Sequence, residues 1–146
     1  MSADDRVYLD TSALAKWYLS EPGSEVFAEY LQGVDVAIIS RLTHTEMRSL
    51  LSRRRRVGEL SAELESVLYA AFLDDIARGW LQDHPVNDVC FDQAVNLITR
   101  YPEHPLRTLD ALHLALASHL AVETLATADC VMAEAASAMG LTVRQF

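Results

Sequence analysis

Four acids of this 146-residue chain sit where a bare carboxylate is costly. Asp10 ends the apolar run of "VYLDTSALAKWY", Glu46 lies in "LTHTEMRSLL", Asp110 in "LRTLDALHLALA" and Asp129 in "ETLATADC". Each is embedded among apolar or small residues, whereas Glu63, Glu65, Asp74, Asp75 and Glu103 fall in patterns that put them on wet faces. The chain holds 21 acids, so context and not number does the selecting. Thr43, Glu46 and Leu50 are spaced by three and four, which gives Glu46 a helical face shared with residues that pack inward. Asp110 falls in a first helical turn, where the helix dipole favours an anion, with Thr108 as its cap. Asp10 and Asp129 can each cap a helix that follows a strand, a role worth about 1 kcal/mol. Taken singly, each acid has a structural reading.

Together they point to a metal. Two strand ends and two helix faces would bring these carboxylates to one edge of a parallel sheet, where ionised neighbours repel and raise one another's pKa. A hard divalent cation, Mg²⁺ or Mn²⁺, resolves that conflict with oxygen ligands, retained waters and substrate phosphate oxygens. No Cys/His cluster with ligand spacing accompanies these carboxylates, so zinc is a poor fit. The chemistry such a site suits is in-line attack on a phosphodiester by a metal-activated water. Two other Asp-bearing α/β classes fit less well. A haloacid-dehalogenase-like phosphatase wants a second Asp two residues after the first, where this chain has Ser12. A receiver-type signalling domain needs a late Lys, and the only lysine is Lys16.

The elements that must position the acids alternate along the chain. Short apolar runs read as strands at Val7 to Leu9, Val36 to Ile39, Trp80 to Leu81 with Val86 near its end, Thr124 to Ala126 and Leu141 to Val143. Helical spacing covers Ala13 to Leu19, Glu25 to Gln32, Thr43 to Arg56, Ala62 to Ala77, Val89 to Arg100, Leu109 to Ala121 and Val131 to Met139. Ser61 caps the fourth helix and Asn87 or Asp88 the fifth, while Gly33, Gly79 and Gly140 fall where helices stop. This rhythm predicts a parallel sheet of about five strands with helices on both faces, in a single α/β domain over 1–146. Ligand sites in such sheets lie beyond the carboxyl ends of the strands.

Composition sets the rest. Hydrophobic residues make up 51%, enough for one real core. No apolar stretch approaches the roughly 20 residues of a membrane span, and "MSADDRVYLD" has no leader-like pattern, so a soluble, cytoplasmic protein is expected. Cys90 and Cys130 form no ligand pair and read as buried small hydrophobes. The net charge of -9 argues against a broad nucleic-acid footprint. Even so, Arg41, Arg48, Arg53, Arg54, Arg55 and Arg56, half of the twelve basic residues, fall in one strip.

"YLDTSALAKWYLSEPGSE", "ISRLTHTEMRSLL", "LRTLDALHLALA" and "LATADCVMAEAASAMGLTV" resemble, in order, the four acidic motifs of PIN-domain ribonucleases, and most closely the VapC-type toxins of toxin-antitoxin pairs. The resemblance implies a PIN-like three-layer α/β/α fold and a Mg²⁺-dependent endoribonuclease, Mn²⁺ substituting, that leaves a 5′-phosphate and a 3′-hydroxyl. It implies that Asp10, Glu46, Asp110 and Asp129 form the catalytic quartet. Asp10 and Asp110 would be direct metal ligands, while Glu46 and Asp129 would act through metal-bound waters or by orienting the attacking one. Ser12 and Thr127 match small hydroxyl positions beside the first and fourth acids, where capping is an equal reading. A basic residue often follows the fourth acid in the family; here it is Cys130. Implied partners are an RNA substrate, a cognate antitoxin docking on the helices from Thr43 to Ala77, and a second copy in a homodimer.

Three further features carry two readings each. His113, three residues after Asp110, reads as a packed, hydrogen-bonded histidine rather than a catalytic base. Arg53 to Arg56 read as a solvated helix end or as an RNA backbone contact two turns beyond Glu46. Trp17, Tyr18 and Tyr69 read as core or interface residues rather than base-stacking platforms. The rival to an enzyme is a PIN domain that only binds RNA or protein, whose mark would be a missing acid; all four are present.

Overall fold

The computed structural model describes residues 4–146; residues 1–3, part of the stretch read as leaderless, lie outside the described residues. The chain runs β1 (Arg6–Leu9), α1 (Thr11–Tyr18), α2 (Ser24–Gln32), β2 (Val36–Ser40), α3 (Arg41–Arg56), α4 (Ala62–Ala77), β3 (Leu81–His84), α5 (Asp88–Arg100), α6 (Thr108–His119), β4 (Thr124–Thr127), α7 (Cys130–Ala138) and β5 (Thr142–Gln145). All five strands are parallel, in the order β3-β2-β1-β4-β5. Central β1 pairs Val7 with Ala37 of β2 on one side and with Thr124 of β4 on the other.

The period-2 alternation of the strands sorts the core into two layers. Val7, Leu9, Ala37 and Ile39 face one way and pack with Leu14, Phe27, Met47, Leu51 and Phe72 of α1 to α4. Tyr8, Ile38 and Leu125 face the other way and pack with Cys90, Leu114, Leu116, Met132 and Ala136 of α5 to α7. The result is the three-layer α/β/α sandwich expected of a βαβ rhythm.

The edges depart from the sequence reading. β3 is Leu81–His84, and Trp80, placed in it by its apolar type, lies outside and is 73% exposed. Edge strands such as β3 and β5 are not covered on both faces, so Gln82, Asp83, His84, Arg144 and Gln145 belong to them without an apolar signature. α6 ends at His119, two residues early, because Ala121 takes a left-handed φ of 53°. The Ala121 N–H then bonds to Ser118 O and the Val122 N–H to Ala117 O, a Schellman closure built without glycine. Ser61 and Asn87 do cap α4 and α5, while Thr108 is the first residue of α6 and Arg107 occupies the cap. Cys130 is exposed at the start of α7, contrary to the buried reading; Cys90 is buried.

Glu65 is the clearest reversal. Expected on a wet face, it is buried between Arg48 (3.3 Å) and Arg55 (3.4 Å) of α3. Those two arginines lie on the neighbouring helix, so a pattern read along α4 alone gives no sign of them. Asp75, also placed on a wet face, is half-buried and accepts the Tyr18 hydroxyl at 2.6 Å. Only Glu65 and Phe72 of α4 are buried outright, so the ion cluster and the ring anchor the helix, with Leu68 and Ile76 packed more shallowly and Tyr18, His44 and Tyr69 around the ring. Phe72→Ala is expected to cost about 3–5 kcal/mol. Amide hydrogen exchange should show its largest acceleration in α4; uniform acceleration would mean that α4 is not separately held.

Candidate functional site

The strand order reverses at β1, whose neighbours β2 and β4 leave by connections on opposite sides. The crevice at the carboxyl ends of β1 and β4 is therefore the topological switch point where open α/β sheets bind ligands. Asp10 follows β1 there and Asp129 follows β4.

Asp10 is 3% exposed and caps α1, its Oδ1 accepting the Ala13 N–H at 2.9 Å. Thr127 Oγ1 donates to Oδ2 at 2.7 Å, and Ser12 Oγ lies 2.7 and 2.9 Å from the two oxygens. The same hydroxyls hold the opposite loop: Ala128 N–H donates to Ser12 Oγ and Asp129 N–H to Thr127 Oγ1, each at 3.0 Å. Ser12 and Thr127 thus do more than cap, since they lock β1 to the β4–α7 turn around the carboxylate. Burial raises the Asp10 carboxyl above its ordinary value, with Thr127, His113, the Ala13 N–H and Ser12 pulling it down only in part. Three protons serve roughly four lone-pair positions, which leaves room for one more electropositive partner.

Glu46 projects from α3 into the same cleft. Its Oε1 accepts Thr11 Oγ1 at 2.9 Å and is hydrogen-bonded to His113 Nε2. Behind His113, Nδ1 lies 2.7 Å from the Tyr8 hydroxyl, itself 3.2 Å from Ser40 Oγ. Burial pushes the Tyr8 hydroxyl far above its usual range, so it stays protonated. His113 is the packed, hydrogen-bonded residue the sequence suggested, and it also holds Glu46 by one carboxylate oxygen. Burial acts to raise the Glu46 carboxyl, but the hydrogen bond and charge of His113, the Thr11 hydroxyl and the charge of Arg107 outweigh it and hold the group below its ordinary value.

Asp110 is buried in the first turn of α6, and its Oδ2 accepts the Arg107 N–H at 3.2 Å. Asp129 caps α7 through Oδ1 and Met132 N–H at 3.0 Å. Between them lies the Arg107 guanidinium, with Nε 3.3 Å from Asp110 Oδ2 and Nη2 3.3 Å from Asp129 Oδ2. The structural readings of Asp10, Asp110 and Asp129 as acids at helix starts therefore hold.

All four acids line one cleft of about 570 Å³, together with Thr11, Ser12, Arg53, Arg107 and His113. Among the described residues no three His, Cys, Asp or Glu side chains cage a cation on their own. The donor set still fits Mg²⁺ or Mn²⁺, which ask for one or two carboxylates and leave the remaining positions to water and phosphate. Among the described residues Asp10 is the buried acid without an ion pair of its own, since Arg107 pairs with Asp110 and Asp129, and Glu46 is hydrogen-bonded to His113. Asp10 and Asp110, the two buried acids of the cleft, would hold the ion.

The arginine run divides. Arg53 lines the cleft, whereas Arg54 is bound to Glu21 (2.7 Å) and Glu59 (3.1 Å), Arg55 to Glu65, and Arg56 to Ser52 Oγ. Three of the four are occupied with intrachain partners. Thr11 and Arg107 were not picked out from the sequence. Thr11 follows Asp10 directly, and Arg107 precedes Asp110 by three, the spacing that lets an N-cap reach the first turn.

A model of the PIN domain matches residues 7–138. Ribonuclease VapC46 of Mycobacterium tuberculosis is 35% identical over 144 residues, covering 94% of this chain and 95% of that protein. Ribonuclease VapC49 of the same species is 35% identical over 112 residues, or 76% and 74% of the two chains. Among solved structures, FitAcB from Neisseria gonorrhoeae superposes with a TM-score of 0.73 at 18% identity, over 94% of this chain and 95% of that one. Mycobacterium tuberculosis VapC20, a sarcin-ricin loop cleaving toxin, gives 0.71 at 19%, over 93% and 96%. The switch-point carboxylates, the five-stranded parallel sheet and these similarities agree: the chain belongs to the PIN-domain family and is similar to its VapC ribonucleases.

Proposed function

We propose that the protein is a Mg²⁺-dependent endoribonuclease, the toxin of a toxin-antitoxin pair, as its VapC-named relatives suggest. The observation that carries the metal is Asp10: a buried carboxylate, raised by its burial, at the switch point and, among the described residues, without an ion pair. When bound there, a hard divalent cation would withdraw charge from phosphate oxygens and lower the pKa of a water. The chain's own part is positional. Ser12 and Thr127 fix Asp10, and Thr11 and His113 fix Glu46, whose lowered pKa keeps it ionised and able to orient or accept a proton from an attacking water. A binding-only module has no need of four acids converging on one cleft.

Two apolar surfaces suit the expected partners. A groove of about 390 Å³ between α1, α2 and α4, lined by Leu14, Trp17, Tyr18, Leu31 and Trp80, offers a seat for an antitoxin helix. It shares only α4 with the surface expected from the sequence. Phe91, Val95 and Ile98 form an exposed stripe at helical spacing on α5, which a second copy would cover. Among the described residues no helix is long and apolar enough to cross a membrane.

Purified, antitoxin-free protein should cleave RNA in Mg²⁺ or Mn²⁺ and not in EDTA, with Asp110→Asn slowed at least about 100-fold, the several kcal/mol a metal contributes. Cleavage in EDTA, or undiminished cleavage by the variant, would remove the mechanism. A thermal measurement tests Asp10 separately. Because burial raises its carboxyl, the ionised form costs stability, and that cost sets in as pH climbs above the ordinary carboxylate range. Metal-free Asp10→Asn should therefore melt higher than the wild type at pH 7, with the difference shrinking toward pH 4. Wild type should gain about 2.7 kcal/mol from Mn²⁺ at 100 times its Kd, and the variant little.

A further inference from the structure

Among the described residues Arg107 is the one cation placed between two of the site's carboxylates, and it holds both loosely. Both contacts are 3.3 Å, longer than the roughly 2.7–2.9 Å of a tight charge-assisted bond. Its side chain is 77% exposed, so water competes for it and little is lost on release. Its backbone, by contrast, is tethered, because the N–H at the start of α6 donates to Asp110 Oδ2. A fixed root with a loosely held, solvent-facing guanidinium is the geometry of a side chain that can change partners. Arg54 shows the alternative in the same molecule: at 29% exposure and 2.7 Å from Glu21, it is committed to its ion pair.

The carboxylates that Arg107 spans are two of the four that would surround a divalent cation. Cation and guanidinium compete for the same negative charge and repel each other. When the ion takes Asp110, the nearest remaining anion is a phosphate entering the cleft, whose non-bridging oxygens match the planar fork of arginine. We propose that Arg107 is an exchangeable counter-ion: it neutralises Asp110 and Asp129 in the metal-free protein and moves to a backbone phosphate of the RNA once a divalent cation occupies the site. The assignment rests on the ribonuclease reading above. It also supplies what an acidic chain lacks, a local phosphate contact that is sequestered until the metal arrives.

The test compares wild type, Arg107→Ala and Arg107→Lys for binding of a slowly hydrolysed phosphorothioate single-stranded RNA oligonucleotide at several salt concentrations, in Mn²⁺ and in EDTA. In Mn²⁺, the slope of log affinity against log salt should be shallower by about 0.7 for Arg107→Ala than for wild type, the loss of one phosphate contact. Arg107→Lys should keep most of the slope, and in EDTA wild type and Arg107→Ala should coincide. Titration of Mn²⁺ alone should show Arg107→Ala binding about fivefold more tightly, its competitor being gone. Equal slopes in Mn²⁺, or weaker Mn²⁺ binding by Arg107→Ala, would make Arg107 a permanent clip and overturn the proposal. Wild type that binds neither Mn²⁺ nor the oligonucleotide would instead overturn the ribonuclease reading beneath it.

Discussion

The carboxylate buried at the end of the central strand is the constraint around which this molecule is organised. Asp10 has lost its water to the packing of β1 between β2 and β4, and hydrogen bonds from Ala13, Ser12 and Thr127 return only part of what burial removes. Those bonds exist because α1 starts directly after the strand and because Thr127 ends the neighbouring one. The donors that make the carboxylate tolerable also staple β1 to the β4–α7 turn and set Asp129 beside it. Stability and site geometry are thus consequences of one set of contacts.

The same economy recurs at the other acids. Asp129 spends Oδ1 on the first turn of α7 and Oδ2 on Arg107, and Asp110 gives its Oδ2 to the start of α6 and to the Arg107 side chain. Glu46 has no helix end to use and is aimed by Thr11 and by the buried relay through His113 to Tyr8 and Ser40. Helix N-termini favour carboxylates in ionised form, the form a hard cation needs. The site's net negative charge is then offset by the exposed Arg107 and, at the rim, Arg53. A chain of charge -9 in this way places a local cationic element at the cleft without a basic surface.

Much of this was legible from the residues. Alternating apolar runs and helical stretches specify the parallel sandwich, and an acid embedded after β1 or β4 stands out because apolar context makes a carboxylate costly. What could not be read lies where the determinant is nonlocal. Glu65 looks solvated along its own helix and is buried by arginines of α3; Trp80 looks like strand and lies outside the edge. Arg54 and Arg55 look like a free basic run and are engaged by Glu21, Glu59 and Glu65. His113 was legible as packed, but its aim at Glu46 depends on the approach of α3 to α6, which no local pattern encodes.

Everything functional here returns to the claim that Asp10 and Asp110 share one divalent cation at the sheet edge. The most direct measurement is a crystal of the protein soaked in Mn²⁺, with diffraction recorded on both sides of the manganese absorption edge. The account predicts an anomalous peak in the cleft, about 2.1 Å from an oxygen of Asp10 and from one of Asp110. A fully soaked crystal with no peak in that cleft, or a peak bound only by residues outside it, would contradict the account.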